Sequence, residues 1–187
     1  MTNNHLLEKY LKNVEGKKYI FHYTNKKNIH IIRKYGLLSL YGQYKNTPDL
    51  FKQNIKNYKS RIEKYTGKSS FDINDVEKFF ESRGLSIKMV FFSFWKIIPG
   101  LSKERDEFVN QSHLIKIDVK NLKPTWNYYL VLGPKITHVN IKEVFKYMDM
   151  NSTIFQKKKS SRFLFSKIPH LAINTNDGII SKNILIF

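Results

Sequence analysis

The nine-residue run "IKMVFFSFW", Ile87 to Trp95, constrains the fold more than any other stretch of the chain. It is too apolar and aromatic for a surface helix, and Gly84 and Pro99 bound it. Such a run fits a buried central strand, with Phe91, Phe92 and Phe94 in the core. At 187 residues the chain is long enough to build that core once, and no stretch reads as a linker, repeat or low-complexity segment. A single domain spanning residues 1–187 is therefore expected.

Helical patterns dominate the first half. Leu6, Leu7, Tyr10, Leu11 and Val14 form an apolar stripe that Gly16 can end. "KYIFHY" follows as a strand, and Asn25 is placed to cap a helix carrying Ile29, Ile32 and Tyr35, which Gly36 stops. The spacing of Leu50, Phe51, Ile55, Tyr58, Ile62 and Tyr65 predicts one helix from Pro48 to Tyr65, and "DINDVEKFFESRG" predicts another with Val76, Phe79 and Phe80 inward. Strands dominate the second half: "HLIKIDV", "NYYLVLGP", "RFLFSKIPHLAI" and "KNILIF", with a small helix over "LSKERDEFVN" and one through "IKEVFKYMD" capped by Asn140. Without βαβ alternation or a Gly-rich phosphate loop, the order indicates an α+β fold.

The chain has no cysteine, which excludes disulfides, thiolate metal sites and a cysteine nucleophile. Its six histidines are scattered, without HExxH or HxH spacing, so no metal is expected. The first residues alternate apolar and charged side chains, unlike a signal peptide, and no run reaches the roughly 18 to 20 apolar residues needed to span a bilayer. An intracellular protein, cytoplasmic or in the nucleoid or nucleus, is the expectation. The formal net charge of +18 attracts polyanions, which makes nucleic acid the first partner to consider. Yet only 5 of the 33 basic residues are arginine, a balance that solvated lysine-rich faces also produce.

The string "FHYTNKKNIHIIRKYGLLSL" places His22 and Thr24 at a strand's end, then Asn28, an apolar helix and Gly36-Leu37-Leu38-Ser39. In that order it resembles the first motif of the ADP-ribosyltransferase superfamily. It is closest to the DNA-targeting ADP-ribosyltransferase toxins and the RNA 2′-phosphotransferases. The resemblance implies a split antiparallel sheet with helices, and NAD as cofactor. It also implies that His22 and Thr24 hold the nicotinamide ribose and neighbouring groups. A neutral imidazole can donate from one nitrogen and accept at the other, and Thr24, two residues on, shares its strand face. "VFFSFW" falls where the family's second core strand carries Ser or Thr, making Ser93 a third candidate contact. "RFLFSKIPHLAI" resembles the terminal strand and turn of the toxins.

One departure bears on activity. The family pattern implies a glutamate just before that last strand, where its charge stabilises an oxocarbenium-like transition state. Here "KKKSSRFLF" puts Ser161 or Arg162 in that place, with no carboxylate from Lys157 to Leu164. A cation there opposes a developing positive charge. Three readings stay open. The acid comes from Glu143, Asp149, Glu104, Asp106 or Glu107. Alternatively Arg162, with Arg33 and Arg61, binds phosphate as in the phosphotransferases. In the third, the fold has lost catalysis and kept a basic groove. The alternative to an NAD-binding protein is a non-catalytic nucleic-acid or ribonucleoprotein-binding module using Lys157, Lys158, Lys159, Arg162 and Trp126. Trp95, Tyr128 and Tyr129 are further candidates for stacking bases.

Overall fold

The structure is a computed structural model, and it describes residues 19–94, 107–108, 110–132, 135–146 and 170–187. The helix expected over Leu6 to Val14, Trp95, Glu104, Asp106, Asp149, Lys157, Lys158, Lys159 and Arg162 lie outside the described residues. The chain is a mixture of helix and antiparallel sheet, as the order of patterns indicates.

Among the described residues seven strands form the main sheet: β1 (Tyr19–Asn25), β3 (Met89–Ser93), β4 (Ser112–Asp118), β5 (Asn127–Leu132), β6 (Lys135–Val139), β7 (His170–Asn174) and β9 (Leu185–Ile186). Their order is β6-β5-β7-β3-β1-β4-β9, and every neighbouring pair is antiparallel. Two short strands, β2 (Leu37–Leu38) and β8 (Ile179–Ile180), form a separate ribbon. Pairing is uneven. β1 matches β4 along its whole length, from Tyr19 opposite Asp118 to Asn25 opposite Ser112, but among the described residues it meets β3 at one register position, Phe21 opposite Ser93. The sheet opens between β1 and β3.

Alternation along the strands explains which side chains form the core. Ile20 lies opposite Ile117, His22 opposite Ile115, Phe92 opposite Leu171 and Tyr128 opposite Ile173. These residues share one face, and the apolar ones are buried there with Ile32, Leu37 and Ile180. The reading of "VFFSF" as core holds for Phe92 and Phe94 but not for Phe91, which is 40% exposed. The pleat turns Phe91 away from Val90 and Phe92, onto the other face.

A second apolar cluster joins the helices. After α1 (Ile29–Tyr35) come α2 (Leu40–Asn46), α3 (Pro48–Ile55), α4 (Lys59–Thr66) and α5 (Ile73–Glu81). Asp72 caps α5, its carboxylate accepting from the Asn74 and Asp75 amides, while Asp75 reaches back to the Asp72 amide. Two expectations need correction. Asn25 caps a 3-10 turn, Lys26–Asn28, and α1 begins after Asn28. The helix expected from Pro48 to Tyr65 is interrupted by a 3-10 turn at Lys56–Tyr58, which carries the Tyr58 ring to an edge contact with Phe80 at 5.2 Å. Tertiary packing overrides the unbroken periodicity.

Among the described residues no helix is long and apolar enough to cross a membrane.

Candidate functional site

Where the β1–β3 ladder lapses, the His22 ring takes over. Its Nδ1 lies 2.8 Å from the Phe91 carbonyl oxygen, so Nδ1 carries the proton and donates, leaving Nε2 as the ring's acceptor. The ring sits 5.7 Å from that of Phe92. Desolvation holds the imidazole's pKa below the usual histidine value, against the opposing pull of the Phe91 bond. His22 is therefore neutral near pH 7, with one nitrogen committed to the fold and one available to a donor.

That ring lines a cleft of about 290 Å³. Its opposite wall comes from the helices and from the corner after β2. Gln43 of α2 donates from Nε2 to the Leu38 carbonyl at 3.2 Å and accepts at Oε1 from Asn54 Nδ2 at 2.7 Å. Ser39, Asn57, Tyr58 and Ser86 add further polar groups, and Phe80, Val90 and Met89 supply apolar surface. Among the described residues no lining side chain is an acid, a lysine or an arginine. A neutral, polar group such as an amide or a sugar suits such walls, and the volume fits a fragment of a dinucleotide better than the whole.

The corner itself is tightly built. Ser39 is 3% exposed, caps α2 by accepting from the Gly42 amide, and donates its own amide to the Gly178 carbonyl at 2.9 Å. The "GLLSLYG" run, Gly36 to Gly42, thus ties α1, the β2–β8 ribbon and α2 together beside His22.

The other candidates divide. Thr24 shares the His22 face, opposite His113 on β4, but is not in the cleft wall. Ser93, at the end of β3 and register-paired with Phe21 and His170, is not among the residues that line the cleft. Trp126 is half-buried and lines a second cleft. Tyr128 is withdrawn as a stacking platform: it is 1% exposed, and its hydroxyl donates to the Lys123 carbonyl at 2.7 Å. Tyr129 lies against His138, ring centroids 5.2 Å apart. Glu143 is engaged in a capping box. It accepts from the Asn140 amide at 2.7 Å, while Asn140 accepts from the Glu143 amide at 2.9 Å. Glu107 is exposed, and Arg33 lies over the Phe187 ring at 5.4 Å. Neither these two nor Arg61 reaches the His22 cleft.

Gln43 and Asn54 escaped the sequence reading, because single amides on short helices carry no pattern. Among the described residues no three His, Asp or Glu side chains are grouped to hold a metal.

The His22 shift has a measurable consequence. Its folded pKa lies below the unfolded value of about 6.5, so the unfolded chain binds the proton first. The stability contributed by neutral His22 is fully present above that value and is lost as pH falls toward the folded pKa. Thermal unfolding at about pH 7.5 and about pH 5.5 should show a larger drop for the wild type than for His22→Asn, the slope from one proton being at most about 1.4 kcal/mol per pH unit. Identical drops in the two proteins would show that the imidazole is not desolvated.

The chain matches no protein-family model, no curated protein and no solved structure.

Proposed function

We propose that the chain is an ADP-ribosyltransferase-like protein that holds the nicotinamide-ribose half of NAD in the His22 cleft and acts on or binds nucleic acid. The observation that carries this reading is the opening between β1 and β3, with a neutral His22 ring at its edge. Nε2 accepts from a ribose hydroxyl there, and the Gln43 and Asn54 amides offer the donor and acceptor capacity that a carboxamide requires. Further support comes from the order β7-β3-β1, in which three strands far apart in sequence, all carrying pieces of the resemblance, become neighbours.

The cleft's chemistry favours binding over transfer. Among the described residues that line it none is a carboxylate that could stabilise a developing oxocarbenium charge, and Glu143 serves a helix cap. A catalytically inactive member of the family is consistent with this. The second reading, a non-catalytic basic nucleic-acid or ribonucleoprotein-binding module, draws on the same neutrality together with the +18 charge.

Calorimetric titration of NAD into nuclease-treated protein separates the two. Saturable binding is expected, weakened roughly threefold to tenfold in folded His22→Ala, the loss typical of one hydrogen bond. Equal affinity in the folded variant, or no binding by the wild type, removes the NAD assignment.

A further inference from the structure

A second cleft, of about 560 Å³, also borders the β2–β8 ribbon. The ribbon contributes to both clefts: Leu38 lines the His22 cleft, and Ile179, register-paired with it, lines this one. Three lysines from distant parts of the chain converge here. Lys34 comes from the last turn of α1, Lys123 from the turn before β5 and Lys182 from the segment after β8. All three are exposed.

Aromatic rings stand beside two of them. Lys34 Nζ is 4.8 Å from the Tyr35 ring centroid, and Lys123 Nζ is 5.6 Å from that of Trp126. Trp126 does not hang free. Its amide donates to the Lys123 carbonyl at 3.1 Å, the buried Tyr128 hydroxyl donates to the same carbonyl, and the indole packs against the main core. The ring is held in place before any ligand arrives. One acid, Asp177, also lines the cleft, and its Oδ1 accepts from the Ile179 amide at 3.0 Å. Among the described residues the cleft thus has three lysines and one carboxylate in its lining. Thr175 forms part of the wall with its hydroxyl buried and, among the described residues, without a hydrogen-bond partner.

We infer that this cleft binds single-stranded nucleic acid, with one base stacked on Trp126 and Lys34, Lys123 and Lys182 on the flanking phosphates. Aromatic faces stack on any base, and ammonium groups track a backbone without reading sequence, so the pairing suits a strand with little base preference. Duplex DNA keeps its bases stacked on each other and offers none to the indole. A base on Trp126 displaces Lys123 from the ring toward the adjacent phosphate. This inference rests on the nucleic-acid half of the proposed function and is independent of NAD.

The test uses the full chain in a Trp95→Phe background, so that Trp126 alone reports, with a fluorescein-labelled oligothymidylate as probe. Quenching of Trp126 that parallels the rise in anisotropy is expected. Trp126→Ala should weaken binding about tenfold or more, as the loss of one base stack does. Because that indole also packs on the core, a surface variant is needed: Lys34→Glu/Lys123→Glu/Lys182→Glu should lower the salt slope by about 2, from ~0.7 per phosphate on single strands. His22→Ala should change neither result. If the oligonucleotide binds with affinity and slope unaltered in both variants, the cleft is not the site, although the nucleic-acid reading stands. No binding at all removes both. Displacement of the probe by thymidine monophosphate at equal concentration would show a mononucleotide site, and the strand assignment would fall.

Discussion

Gly36→Ala should destabilise the protein by more than about 3 kcal/mol, read as a lowered urea midpoint or as failure to accumulate folded protein. Gly36 has φ +90° and ψ −173°, a region essentially closed to residues with a side chain, and occupying it costs a non-glycine residue on the order of 1–3 kcal/mol. Space is the larger obstacle. A Cβ at Gly36 would lie 2.2 Å from the Ile180 carbonyl oxygen, which is backbone and cannot rotate aside. The β2–β8 ribbon would have to move, and with it the residues it contributes to both clefts. A similar approach occurs at Gly178, where φ is +71° and a Cβ would meet Ser39 Oγ at 2.3 Å. An unchanged urea midpoint for Gly36→Ala would mean that this corner is far looser than its backbone geometry requires.

Phe79→Ala should cost about 3–5 kcal/mol, the usual range for removing a buried phenylalanine and leaving a cavity. Phe79 is 1% exposed at the centre of the helical cluster. Its ring makes edge contacts with Phe80 at 5.4 Å and Tyr65 at 5.9 Å, and the Arg83 guanidinium lies 3.7 Å above it while donating to the Phe79 carbonyl. Because Asn54, Asn57, Tyr58 and Phe80 belong to the same helical layer, the cleft's polar wall loosens with the core behind it. On the proposed NAD reading, affinity should therefore fall in a variant whose changed side chain does not line the cleft. A loss below about 1 kcal/mol in equilibrium unfolding would show that the helices repack around the gap and are not held by this ring.

Much of the architecture is legible before any coordinates. β1, β3, β4, β5 and α5 announce themselves because each carries one strong local signal: an apolar run, strict alternation, or an Asp72 cap followed by inward aromatics. What escapes notice is weak locally and specified by partners. "LYGQYKN" forms α2 around a glycine and with little periodicity, because Ser39 caps it and Gly42 fits against Gly178. β2 and β8 are two residues long, too short for any pattern to register, and exist only as each other's partner. "KITHV" is half exposed, and it is a strand because β5 offers it an edge.

The sites follow the same rule. His22 stands out because it lies within an ordered string, and Trp126 because it follows a Lys-Pro turn. Lys34 and Lys182 are two lysines among many until the sheet brings their segments together. Ser93 illustrates the converse: its position along β3 fits the resemblance, but the cleft wall takes Met89, Val90 and Phe91 from that strand and not Ser93.

The place of β1 in the sheet also has a consequence in time. This first described strand lies between two that are made later, and its full-length partner is β4, with Tyr19 opposite Asp118. At ~5–20 residues per second, a ribosome needs about 5–20 s to advance from one residue to the other. For that interval "YIFHY" has been synthesised and its partner has not. The strand that carries His22 is made well before the partner that secures it, so the opening between β1 and β3 can take its final shape only after β4 has joined the sheet.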